Sequence, residues 1–298
     1  MFGTGAILEG AFRLVRERPG AVAIWGLIYF LCIAAMLASL RPFAQLLSNP
    51  AAARDPAAVM GVIGGVFLVE LLLMVVLVVL FAAAFRAVLR PERSGFGYLR
   101  LGMDELRLLG LGLLVGVLSF IAYLVALIVI GVVAGVLTNA VGVSAGFLTS
   151  ALLVLAWIAG FFYVQVRLSL AGPLSVYRGR FVLGEAWALT RGRFWAIFLA
   201  YALIVVILSI AQMIVSAVAF MPMYSAMIGE AMRHPQDPAA SQAASAQMMG
   251  QMTSFGPTMI GLAVFGAVIA ALWVALNGGA AATAAKLLAG GREAEAFE

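Results

Sequence analysis

The chain has 298 residues, of which 65% are hydrophobic and only 10% are Asp, Glu, Lys or Arg, with a mean hydropathy of +1.12. A soluble protein carries roughly a quarter charged residues, so no water-soluble shape covers this much apolar surface, and part of the solvent must be lipid. The net charge of +5 does not indicate nucleic acid, because the basic residues flank hydrophobic spans instead of forming one patch.

The N-terminal segment places Glu9, Arg13, Arg16, Glu17 and Arg18 ahead of an uncharged run longer than a signal-peptide core, so it does not read as a signal peptide. Ile7, Leu8, Ala11, Phe12 and Val15 share one helical face, opposite Glu9, Arg13, Arg16 and Glu17. Such a helix is expected to lie in the membrane interface, apolar side down, until Pro19 and Gly20 break it. Gly20 to Leu40 then forms the first span, with the single cysteine, Cys32, inside it; one cysteine excludes an intrachain disulfide or a thiolate zinc site. The second span runs from Val59 to Phe85, interrupted only by Glu70.

Leu108 to Val166 holds no charge. At a rise of ~1.5 Å per residue, one helix of that length would be about 88 Å long, far beyond a ~30 Å hydrocarbon core. The segment must fold back, and the stretch from Thr138 to Gly146 carries the turn chemistry. Spans three and four result. Phe194 to Phe220 is the fifth and Pro257 to Ala285 the sixth.

Of the 18 basic residues, 15 fall in the N-terminal segment, the loops after spans two and four, and the C-terminal segment, leaving Arg41, Arg54 and Arg233 on the other side. The positive-inside rule then puts both termini in the cytoplasm. Arginine dominance over lysine, with abundant alanine, fits a GC-rich bacterial genome and hence the bacterial inner membrane.

The segments preceding spans one, three and five share a pattern: Ala11-Phe12 to Arg16, Gly102-Met103 to Arg107, and Ala186-Trp187 to Arg191. Arg86, Arg167 and Lys286 close the even spans. In the later pre-span segments Leu99, Met103 and Leu106 oppose Arg100, Asp104 and Arg107, and Val182, Ala186 and Trp187 oppose Glu185 and Arg191. The expected fold is therefore all-α within one membrane domain: six transmembrane helices in three parallel two-helix repeats, at about 1-90, 91-173 and 174-298. Amphipathic interfacial helices would lie on the cytoplasmic side. Parallel units differ from the inverted repeats common in secondary transporters.

The run Gly184-Glu185-Ala186-Trp187-Ala188-Leu189-Thr190-Arg191-Gly192-Arg193-Phe194-Trp195 resembles a segment of poorly characterised bacterial six-helix inner-membrane proteins. These are related to the membrane domain that some proteins fuse to glycerophosphoryl diester phosphodiesterase. The resemblance implies an inner-membrane helical bundle. The phosphodiesterase activity is not implied, because the chain has no room for the soluble barrel and only one histidine.

Glu70 lies about 11 residues into its span, near the bilayer midplane. A carboxylate there costs ~2.5–3.5 kcal/mol on insertion scales and should face the bundle or a wet cavity. It reads either as a protonatable site on a transport path or as a protonated group bonding a neighbouring helix, with Gln165, Gln212 and Asn277 as partners by type. Eight of the 14 methionines, with His234, fall between Met221 and Met259. The thioethers at Met221, Met223, Met248, Met249 and Met252 could bind Cu(I); the spacings Met223/Met227 and Met248/Met252 equally suit an amphipathic helix on lipid.

Arg16, Arg107 and Arg191 occupy matching places and are candidate lipid-headgroup contacts, in addition to setting orientation. Gly61, Gly64 and Gly65, the alanines 82–84 and Gly278-Gly279 suit close helix packing. Enzyme signatures are missing: His234 has no ligand partner at metal spacing, and Asp104-Glu105, as adjacent helical residues, point apart. No catalysis and no cofactor are expected. The leading reading is a non-catalytic membrane protein that packs with lipids or partner proteins; the alternative is a transporter or channel with Glu70 near the path.

Overall fold

The computed structural model describes residues 2–48, 54–92, 95–233 and 256–295. These residues are helical nearly throughout, and no strand occurs among them. A short helix α1 (Thr4–Glu17) leads into α2 (Pro19–Ser48), followed by α3 (Pro56–Leu89), α4 (Met103–Val141) and α5 (Val143–Leu168). Two short helices, α6 (Ala171–Arg178) and α7 (Leu183–Leu189), precede α8 (Phe194–Arg233) and α9 (Pro257–Glu295). Six of the helices are long and apolar enough to cross a membrane, which makes the chain compatible with an integral membrane protein.

Every expected span falls within one of these helices, but the helices overrun the spans. Helix α2 continues through Pro42 to Ser48, and α8 continues to Arg233. Charge and proline mark where hydrocarbon should end; backbone hydrogen bonding does not stop there. The turn between α4 and α5 narrows to Gly142, at φ 116° and ψ 167°, a conformation that favours glycine. Its N–H bonds the carbonyls of Leu137 and Thr138 at 3.2 and 3.1 Å, which closes α4.

The pre-span segments differ from one another. Arg18 separates α1 from α2, and Thr190–Arg193, with Gly192 at φ 76°, separates α7 from α8. In the middle segment Leu99 and Arg100 lie outside helix, and α4 runs without interruption from Met103 into its span. Gly102 starts it, and the Glu105 side chain accepts the Gly102 N–H at 3.0 Å. With no proline after Met103, nothing interrupts the helix.

Helix α9 is the central post, packing on α1, α2, α3, α6 and α8. Small residues make this possible. A Cβ at Gly278 would lie 2.6 Å from Ala84 Cβ on α3; one at Gly279 would lie 3.1 Å from Ala11 Cα on α1. A Cβ at Gly10 would overlap Thr283. The face of α1 bearing Ile7, Ala11 and Leu14 is thus covered by protein. Buried residues concentrate at the arginine-bearing end of the bundle, around Trp25, Leu80–Ala87, Leu170–Val176 and Val274–Leu288. Most of α4 and α5 is exposed beyond that end.

Candidate functional site

The end of the bundle that carries the arginines also carries its polar network. Contacts join the three segments: Thr4 Oγ1 donates to the Ala196 carbonyl at 3.2 Å, and Arg90 Nη2 donates to the Val176 carbonyl at 2.7 Å. The Arg18 guanidinium lies 5.7 Å from the Tyr98 ring centre, and that of Arg193 lies 5.2 Å from the Phe2 ring.

Two arginines leave the bundle core in matching places, and they are treated differently. Arg86, on the last turn of α3, forms an ion pair with Glu105 on the first turn of α4, with side-chain exposures of 7% and 8%. Arg86 Nη2 also donates to the Arg100 carbonyl at 3.3 Å. Asp104 turns the other way, accepting from Arg107 at 3.1 Å and from Arg90 at 3.4 Å. Arg86, Arg90, Asp104 and Glu105 line a polar cavity of ≈ 520 Å³ whose wall includes Tyr98, Arg100 and Gly102. Next to Tyr98 in the chain, the Gly97 carbonyl accepts the Nε1–H of the buried Trp25 at 2.8 Å. Trp25→Phe should leave that carbonyl unpaired and cost about 1–2 kcal/mol, seen as a lowered thermal midpoint in detergent; an unchanged midpoint would mean that the bond contributes nothing net.

Arg167 closes α5, is 5% exposed and has no carboxylate partner among the described residues. Its guanidinium stacks 4.5 Å from the centre of a Trp187 ring and 5.8 Å from that of Tyr163, while its Nε is buried without a hydrogen bond. Thr190, completely buried, ties the end of α7 to this point by donating toward the Arg167 carbonyl at 3.3 Å. The carboxylate on α7, Glu185, is occupied by Arg178 at 3.2 Å. Removing a cation from water costs several kcal/mol in real proteins, and a desolvated cation–π contact returns about 2 kcal/mol. Arg167 therefore remains a positive charge that its described surroundings do not neutralise.

The residues singled out from the sequence are placed as follows. Glu70 is exposed on the outer surface of α3. Gln165 bonds Ser119 across the α4–α5 pair at 3.5 Å, Gln212 bonds Ser216 on its own helix at 3.0 Å, and Asn277 bonds the Trp273 carbonyl at 2.9 Å. The structure does not bring these four together. Arg16 and Arg191 are exposed, and Arg107 is partly buried against Asp104. Of the methionine-rich stretch, residues 221–233 lie on α8, and His234 with Met248, Met249 and Met252 falls outside the described residues.

Sequence reasoning missed both buried arginine centres, having treated Arg86 and Arg167 only as boundary markers. A signal existed for the first: an arginine leaving one span and an acidic pair entering the next.

Fold and site define an all-helical protein with six helices long and apolar enough to cross a membrane, and with the polar network described above at the arginine-bearing end. No family model, curated protein or solved structure matches the chain.

Proposed function

We propose that the chain is a multi-pass protein of the bacterial inner membrane, with both termini in the cytoplasm, that catalyses nothing and acts by packing with lipids or partner proteins in the envelope. The distribution of 15 of 18 basic residues supports the orientation. The matching segments ahead of spans one, three and five support three parallel units, and the run from Gly184 to Trp195 supports kinship with the phosphodiesterase-associated membrane domains.

The observation that carries the reading is the contrast between inside and outside. The described core is built mainly from Ala, Leu, Ile and Val, while the single carboxylate of α3, Glu70, is exposed. A transport path would need polar groups lining the interior along the spans, whereas the buried charged groups Arg86, Glu105 and Arg167 all sit at helix ends. The outer surface instead offers a groove of ≈ 540 Å³ between α2 and α9, walled by Val22, Gly26, Leu27, Phe30, Val264 and Val268. Such walls match an acyl chain and offer nothing to a polar solute. The N-terminal end of α2, with Arg16 and Arg18 just before it, places cations close to the groove's Val15 and Pro19.

Extraction in native lipid particles, with mass spectrometry of the accompanying lipids and proteins, tests this. Specific lipids or a partner protein should be enriched over the bulk membrane. Glu70→Gln should leave folding and any solute flux in reconstituted vesicles unchanged. Proton-coupled flux that the wild type supports and Glu70→Gln abolishes would replace this reading with the transport one.

A further inference from the structure

We propose that Arg167, with the Trp187 ring stacked on it, forms a binding site for a phosphate group, carried by an anionic lipid headgroup or free in solution. The proposal deepens the lipid-packing reading and rests on it for the lipid source.

Arg86 and Arg167 are the two buried arginines among the described residues. Arg86 and Arg167 each end a long helix, and each is 5% exposed. Arg86 is neutralised within the chain by Glu105. Glu105 lies two residues before Arg107; two residues before Arg191 the chain has Leu189, apolar and buried. Where the first arginine meets a carboxylate, the second meets Trp187.

A ring face attracts a cation without accepting its N–H groups as a carboxylate does, so the fork of donors keeps its capacity for an anion. The planar guanidinium matches phosphate oxygens in bidentate fashion. The Nε of each arginine is buried without a hydrogen bond, so the difference between them lies in the carboxylate that Arg86 has and Arg167, among the described residues, lacks. Arg191 and Arg193, both exposed on the turn that follows Thr190, add positive charge on the same segment. The carboxylate of α7, Glu185, is held by Arg178, so nothing acidic on that helix competes.

The test uses the full chain in detergent and native mass spectrometry with added phosphatidylglycerol or phosphatidylcholine. The wild type should retain phosphatidylglycerol preferentially. Arg167→Gln should weaken that retention by about tenfold or more, the loss expected for a charge-assisted bond. Trp187→Glu, at a 39% exposed position, supplies an internal carboxylate and should weaken it as strongly while the protein stays folded, as judged by helical circular dichroism. This second variant keeps the test decisive if Arg167→Gln does not fold.

Inorganic phosphate is added in a parallel arm. Displacement of the lipid by millimolar phosphate supports a site that also takes the free ion, and resistance to it supports a headgroup site. Equal retention of phosphatidylglycerol by the wild type and the folded variants would overturn the proposal and leave the lipid-packing reading standing. If the wild type retains neither lipid, that reading fails instead, and the phosphate arm alone decides. A phosphate-dependent rise in thermal midpoint, lost in Trp187→Glu, then supports the site, and no rise overturns it.

Discussion

Glu105→Ala is expected to be the most damaging single substitution at the polar end of the bundle, costing about 3–5 kcal/mol. The size follows from what is left behind. Arg86 is 5% exposed, and its guanidinium would lose the carboxylate that balances it while keeping a single described bond, to the Arg100 carbonyl. The same carboxylate also accepts the Gly102 N–H at 3.0 Å, so the first turn of α4 loses its cap. The pair itself need not be strongly stabilising, because two charges were desolvated to make it. Arg86→Met combined with Glu105→Leu should therefore recover most of the loss. Unfolding of the two single variants and the double variant, followed by circular dichroism in detergent, gives the coupling. Single and double variants equally destabilised would show that the cost lies in packing and not in the orphaned charge.

The second large effect is at Gly278. Adding one methyl group there puts it 2.6 Å from Ala84 Cβ, closer than carbon atoms approach, and neither atom sits on a flexible side chain. Helices α3 and α9 must move apart, and α9 also holds α1 through Gly279. Gly278→Ala should cost toward the upper end of the ~1–3 kcal/mol typical of overpacking. Ala84→Gly alone should cost less, and the two together should restore much of the stability, since the methyl merely changes sides. Additive losses in the double variant would mean that the helices are not as close as described. In lipid no hydrophobic force drives helices together, so the close approach of small residues is the main source of their attraction.

The six long helices were legible because the bilayer demands about 20 apolar residues per crossing, and charge is scarce enough to delimit them. The α4–α5 turn was legible because Thr138 to Gly146 concentrates the residues that turns use, and Gly142 takes the positive φ. Helix ends were less so: hydropathy reports where lipid stops, whereas Ser48 and Arg233 mark where backbone bonding stops.

For Glu70 the sequence gives depth but not direction. Helix α3 is apolar on every side across its span, so no face is marked as inward, and only packing against α2 and α9 decides that Glu70 points out. The pairing of Arg86 with Glu105 spans a loop whose path no local rule fixes. Arg167 with Trp187 was hidden because both fit simpler roles, a boundary charge and an interfacial aromatic.

The central claim is that hydrocarbon surrounds the long helices and that the arginine-bearing end faces the cytoplasm. Scanning-cysteine labelling in a Cys32→Ser background tests it directly, with Ser144→Cys at the start of α5 and Gly184→Cys on the exposed surface of α7. A membrane-impermeant maleimide applied to intact spheroplasts should label Ser144→Cys at once and Gly184→Cys only after permeabilisation. Labelling of Gly184→Cys from outside, with Ser144→Cys protected until the membrane is opened, would invert the orientation and contradict the account.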